Sequence, residues 1–276
     1  MIVIICGKPR VGKTALNTHF AEMSMRQNGQ FRLKRCIQET NLLNVANRNK
    51  LPLPDIPPIY LNYEAKFHIG YKKYIEPMWV NPYWLGLPNA ETPTQFILPH
   101  SELHITEGQR VWDSRESATL PDNVSGFFEK HGHFWLDIYI DVQRAKLIDL
   151  NIRALATKII EVQKMVHLKD AYRRILSTTW ICREFSNIQD YEAYSEQGKV
   201  VPFRVTTYTH EGNIFECYNS RSCKNDFVPD EKQDFKLLKF KTPSEIKVLP
   251  KEVAEMYSTA KPKWFRARQN ETKKVA

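Results

Sequence analysis

Residues 7–14 read Gly7-Lys8-Pro9-Arg10-Val11-Gly12-Lys13-Thr14, with Ala15 after them. This spacing of two glycines before a Lys-Thr pair suits a polyphosphate. The glycines let the backbone wrap the phosphates, and successive N–H groups from Arg10 to Lys13 converge on them at a helix start. Lys13 then reaches the β- and γ-phosphates, and the Thr14 hydroxyl binds the accompanying Mg²⁺. The setting supports the motif. Ile2-Val3-Ile4-Ile5-Cys6 reads as a short apolar strand, and Ala15 to Met25 runs on as a helix without Gly or Pro. The expected ligand is a nucleoside triphosphate, ATP with Mg²⁺.

Hydrolysis needs a second element: a neighbouring parallel strand ending in an acid near the metal and the attacking water. Glu102-Leu103-His104-Ile105-Thr106 is that strand, and Glu107 follows it. Ligands bind beyond the carboxyl ends of such strands, so Glu107 is placed to activate water. The preceding position, where an Asp in the metal shell is expected, holds Thr106. Its hydroxyl can hold a metal-bound water, and a slow hydrolase is expected. Gln143 closes the next apolar strand, where it either senses the γ-phosphate or caps the strand. Arg153 on the following helix and Arg10 in the loop are candidates to supply positive charge to a neighbouring subunit's nucleotide.

The elements that must position these groups alternate. Asn123 to Lys130 reads as a helix opened by Pro121 and Asp122, Phe134 to Val142 as a strand, Leu147 to Ala156 as a helix and Lys158 to Met165 as a strand. Such alternation predicts an α/β fold, a P-loop NTPase with a parallel sheet flanked by helices. Beyond residue 166, Trp180–Phe185, Val200–Thr209 and Ile214–Tyr218 read as antiparallel strands, a C-terminal β-rich extension. Residues 52–99 hold nine of the sixteen prolines, with aromatics between them, and read as an elaborated surface insertion packed on the core. Within it, Ile59 to Tyr63 reads as a strand. The organisation is then an ATPase core over 1–165 containing the 52–99 insertion, a β-rich extension over 166–230 and a basic segment over 231–276.

At 276 residues and 42% apolar content the chain can bury a substantial core. Forty Lys and Arg against 31 Asp and Glu give a net charge of +9. Part of the excess is local: Lys261, Lys263, Arg266, Arg268, Lys273 and Lys274 face only Glu271 in the last sixteen residues. A basic end of this kind suits a phosphate backbone or an anionic membrane surface, or is a solvated tail. The five cysteines form no CxxC pair, which points to a reducing cytosol. His131-Gly132-His133, with no cysteine or carboxylate at ligand spacing, reads as a turn beside a strand rather than a metal site. No stretch approaches the ~18 consecutive apolar residues of a membrane-spanning helix, and residues 2–6 lack the features of a secretion signal. The expected place is the cytosol, free or peripheral to a membrane.

The order of the motifs is more specific than any one of them. Gly7–Thr14 is followed by Thr106-Glu107-Gly108-Gln109-Arg110-Val111-Trp112, Leu120-Pro121-Asp122 with a helix, and His131-Gly132-His133. An apolar strand ending at Gln143 comes next, then Leu147-Ile148-Asp149-Leu150-Asn151-Ile152-Arg153, and later Phe215-Glu216-Cys217-Tyr218-Asn219-Ser220. Over residues 1–225 this resembles the zonular occludens toxin-like family, which includes filamentous-phage assembly ATPases of the FtsK/HerA-like P-loop class. The resemblance implies an ATP-driven factor for phage assembly and extrusion, in the host cytoplasm at the inner membrane. It implies a homo-oligomer, with phage coat or membrane assembly proteins, phage single-stranded DNA and an anionic membrane surface as partners. By carry-over Lys13 and Thr14 bind nucleotide and Mg²⁺, Glu107 activates water and Gln143 senses the γ-phosphate. The family's membrane-spanning helix has no counterpart in these residues, although the basic run from Lys261 resembles the flank preceding it.

Two other readings stay open. A kinase built on the same loop acts on a small molecule or a nucleic-acid end. It needs an arginine lid, for which Arg173-Arg174 is the best remnant. A nucleotide-gated scaffold with vestigial hydrolysis would fit Thr106.

Overall fold

The computed structural model describes residues 1–48, 51, 53–68, 74, 75, 77–80, 82, 85, 97–114, 122–201 and 203–218. The basic run from Lys261, residues 219–230 of the extension and the Pro121 helix opening lie outside the described residues.

Five apolar residues in β1 (Ile2–Cys6) are all buried, as a strand covered on both faces demands. Ile2, Ile4 and Cys6 pack in one core cluster with Phe127, Phe128, Ile152 and Tyr191. Val3 and Ile5 point the other way, into a second cluster with Ala15, Leu16, Trp180 and Cys182. The first cluster takes α2 (Asp122–Lys130), α3 (Leu150–Ala154) and α4 (Ile188–Gln197), and the second takes the start of α1 (Lys13–Asn47). Helices therefore cover both faces of the sheet.

Among the described residues that sheet has eight strands. β1 is flanked by β7 (Asp137–Asp141) and β8 (Lys158–Lys169), both parallel to it. Beyond β7 come β6 (Glu102–Ile105), β2 (Ile59–Leu61) and β5 (Met78–Trp79), all parallel. On the other side β9 (Ile175–Phe185) and β10 (Arg204–Glu211) continue antiparallel from β8. The order is β10-β9-β8-β1-β7-β6-β2-β5, and a separate pair, β3 (Phe67–His68) and β4 (Tyr74–Ile75), stands apart.

Several expectations need correction. The helix after the phosphate loop runs to Asn47 rather than Met25. Gly29 does not stop it: a Cβ there would stand 2.8 Å from Pro57 Cγ, so the glycine serves close packing inside the helix. The proline-rich stretch is not only surface elaboration, because β2 and β5 join the main sheet and Ile59, Tyr60 and Leu61 are buried. The strand expected from Phe134 starts at Asp137, since His131–Phe134 forms a 3-10 turn closed by left-handed Trp135. Asp149 starts α3 late by accepting from Asn151 and Ile152 N–H groups, so the expected Leu147–Ala156 helix shrinks to five residues. Ile214–Glu216 is a 3-10 turn capped by Asn213, not a strand. Helix α4, unforeseen, has Asn187 as its N-cap and left-handed Gly198 at its end.

The extension is not set apart from the core sheet. β8 crosses residue 165 without a break, and β9 and β10 add to the same sheet.

Candidate functional site

Left-handed backbone at Arg10 (φ 67°) and Gly12 (φ 84°) curls the loop between β1 and α1. A turn of this kind gathers successive N–H groups on one side. A Cβ at Gly12 would run into Met165 Sδ and Trp180 Nε1, and Trp180 Nε1 donates to the Gly12 carbonyl at 3.1 Å. The loop is thus clamped from β9. Helix α1 starts at Lys13 without a side-chain cap, which leaves its first N–H groups to an anion. Lys13 is only 8% exposed, and its Nζ donates across the loop to the Lys8 carbonyl at 3.0 Å. Lys8, Pro9 and Arg10 are exposed, Gly7, Val11 and Thr14 half-buried, and Ala15 is buried.

The sheet register brings the second element to this loop. Ile5 of β1 pairs with Asp141 of β7, and Ile140 of β7 pairs with Ile105 of β6. Asp141 and Thr106 therefore stand side by side at the carboxyl edge. Thr14 Oγ1 lies 3.0 Å from Thr106 Oγ1. Asn62 holds the Thr106 backbone from both sides, accepting from its N–H at 2.8 Å and donating to its carbonyl at 3.1 Å. Glu107 follows in left-handed conformation (φ 55°), half-buried, its N–H donating to Asp141 Oδ1 at 3.1 Å. Its Oε2 accepts from Gln109 Nε2 at 2.6 Å and faces Arg110 Nε at 3.5 Å.

Asp141 is the residue that sequence reasoning missed. It is 1% exposed, and its Oδ2 makes no hydrogen bond. Burial pushes its carboxyl up to about 6, and the Glu107 charge adds to the rise; the Glu107 N–H and the Thr106 and Thr14 hydroxyls oppose it. The signal was an acid closing an apolar strand, Ile140-Asp141. It lay on the strand beside the one where such an acid was sought.

Gln143 is exposed past the end of β7, and its carbonyl lies 3.4 Å from the Gly7 N–H. It reaches the loop's edge through its backbone. The structure joins Arg153 to Glu192 of α4 (2.7 Å), not to the phosphate loop.

Behind the site a buried polar chain ties α1 to β6. His104 Nδ1 lies 2.8 Å from Asn17 Oδ1 and its Nε2 lies 3.2 Å from Glu102 Oε2. Glu102 Oε1 accepts from Ser24 at 2.6 Å and from Arg32 at 2.5 Å. Burial opposes the Glu102 charge, yet His104, Arg32 and Ser24 together hold its pKa below the ordinary value.

A hard divalent cation prefers oxygen donors. The Thr14 and Thr106 hydroxyls and the unbonded Asp141 Oδ2 supply three in a buried corner beside the phosphate loop. These residues fit Mg²⁺. The carboxylate beside Thr106 comes from β7.

A β1–loop–α1 unit of this form, in a largely parallel sheet covered on both faces, defines the P-loop NTPase fold. No family model and no curated protein matches the chain. Among solved structures, it is similar to the N-terminal domain of zonular occludens toxin from Neisseria meningitidis. The two are 17% identical, over 79% of this chain and 98% of that one, with a TM-score of 0.42. It is also similar to B204, the DNA-packaging ATPase of Sulfolobus turreted icosahedral virus, at 11% identity, 77% and 97% coverage and a TM-score of 0.35. The genome-packaging NTPase B204 of Sulfolobus turreted icosahedral virus 2, in complex with ATP-gammaS, matches at 9% identity, 74% and 95% coverage and a TM-score of 0.35.

Proposed function

We propose that this chain is a Mg²⁺-dependent ATPase that drives filamentous-phage assembly and extrusion at the host inner membrane. The observation that carries the ATPase reading is the corner where Thr14, Thr106 and Asp141 meet beside Lys13. The phage role rests on the ordered resemblance from the phosphate loop through Glu107 to Arg153.

Loop N–H groups and the start of α1 cradle the phosphates, and Lys13 exchanges its bond to the Lys8 carbonyl for phosphate oxygens. Thr14 and Asp141 would hold Mg²⁺, with Thr106 beside them. The metal they hold would supply positive charge against the developing phosphate charge. Glu107, released from Gln109, takes a proton from the attacking water. Its backbone N–H on Asp141 keeps base and metal carboxylate in fixed relation. The arginine lid of a kinase finds little support, since Arg174 is bonded to Asp170 at 2.7 Å in the β8–β9 turn.

Phosphate release by the full chain with Mg²⁺ and ATP tests the chemistry. Glu107→Gln should keep ATP binding and lose turnover by about 10²-fold or more. Undiminished turnover would move the base elsewhere. For the biological role, cells producing the phage with Lys13→Ala in this gene should extrude no virions; an unchanged titre would sink the assembly reading.

A further inference from the structure

Further along α1 from the phosphate loop, three buried residues of different chemistry converge. Glu22 of α1, His210 of β10 and Cys217 just after β10 each offer a ligand atom, all within 4.8 Å of one another. They are 1%, 5% and 5% exposed. Along β10, an exposed edge strand, His210 is the one buried residue. Glu22 Oε1 accepts from Arg26 at 2.5 Å, whereas Oε2 makes no hydrogen bond and faces His210 Nδ1 across 3.5 Å. His19, one turn earlier on α1 and also buried, brings its Nδ1 to 3.3 Å from His210 Nδ1.

We propose that Glu22, His210 and Cys217 form a structural zinc site. A carboxylate oxygen left without a hydrogen bond in the interior is costly, and a cation removes that cost. The donor set of one imidazole, one carboxylate and one thiolate selects zinc over Mg²⁺ or Ca²⁺. Tetrahedral zinc, with bonds of about 2.0–2.3 Å, places its donor atoms roughly 3.3–3.7 Å apart. The 3.5 Å between Glu22 and His210 already matches that edge, and all three ligand atoms lie within 4.8 Å of one another. Charge balances as well. On binding, the Cys217 thiol gives its proton to solvent, and thiolate plus carboxylate cancel the two charges of zinc beside neutral imidazole.

The site also has a mechanical role. It joins α1, which carries the phosphate-loop lysine, to β10 at the sheet edge. Cys217 is in turn fastened to the stretch after β2, where Lys66 N–H donates to its carbonyl at 2.7 Å. Zinc would fix these three segments in one arrangement.

The full chain, purified without chelator, should carry zinc at parity with protein by elemental analysis. Cobalt exchanged into it should show a thiolate-to-metal charge-transfer band in the near ultraviolet. Cys217→Ser and Glu22→Gln should lose the band and the zinc while still binding ATP. Should either variant fail to fold, the parent decides: a zinc-specific chelator should lower its Tm, and added zinc should restore it. No zinc in the parent and no cobalt band on titration would overturn the proposal. So would a band that survives Cys217→Ser.

Discussion

At the scale of residues, the site divides its labour between charge and hydroxyl. Lys13→Ala should abolish nucleotide binding and leave the fold intact, because its ammonium bonds one loop carbonyl rather than packing in the core. Far-UV circular dichroism and ATP titration check both halves. Asp141→Asn keeps the shape and the Glu107 N–H contact but removes the metal-seeking charge. It should weaken ATP binding at least about tenfold with Mg²⁺, roughly 1.4 kcal/mol, and hardly change it in excess chelator. Equal loss in both conditions would make Asp141 a packing residue. Thr106→Asp, which restores the acid to β6, should crowd Asp141 with a like charge and slow turnover rather than speed it.

At the scale of elements, α1 serves as the frame. Its first turns present the phosphate loop, and its middle both grips β6 through the Glu102 chain and passes Pro57 at Gly29. Glu102→Gln would leave Arg32, His104 and Ser24 imperfectly matched in the interior. A loss of about 3 kcal/mol in urea unfolding is expected; a change below about 0.5 kcal/mol would show the network to be idle. Arg153 belongs at this scale too. Its ion pair with Glu192 fastens α3 to α4, so Arg153→Ala should lower Tm while ATPase activity per folded chain stays unchanged. A selective loss of activity would return it to the role of an arginine acting on a neighbouring subunit.

At the scale of the molecule, no helix among the described residues is long and apolar enough to cross a membrane. The basic run from Lys261 to Lys274 carries a net five positive charges, enough at about 1 kcal/mol each for weak, salt-sensitive binding to an anionic surface. Liposome flotation should retain the full chain, lose one ending at Ala260, and release the full chain at 0.5 M salt, where the Debye length falls to about 4 Å. Equal flotation of both chains would remove the tail from the contact. The proposed assembly role further predicts a homo-oligomer, which light scattering with and without ATP reads directly.

The phosphate loop was legible in the sequence because its chemistry is local: eight consecutive residues, an apolar strand before them and a helix after. The alternation of β6, α2, β7 and β8 was legible for the same reason, since periodicity is a property of neighbours in the chain. The limits of α1 and α3 were not, because a glycine that packs on Pro57 and an aspartate that caps from Asp149 look alike in sequence to a break and a helical residue. Nor was Asp141, whose value depends on strand order. Only when β7 lies between β1 and β6 does its carboxylate meet Thr14 and Thr106. Glu22, His210 and Cys217 are far apart along the chain, and no spacing rule joins them. Sequence determined which groups could bind a phosphate; the sheet's order decided which of them face one another, because burial and charge act through space.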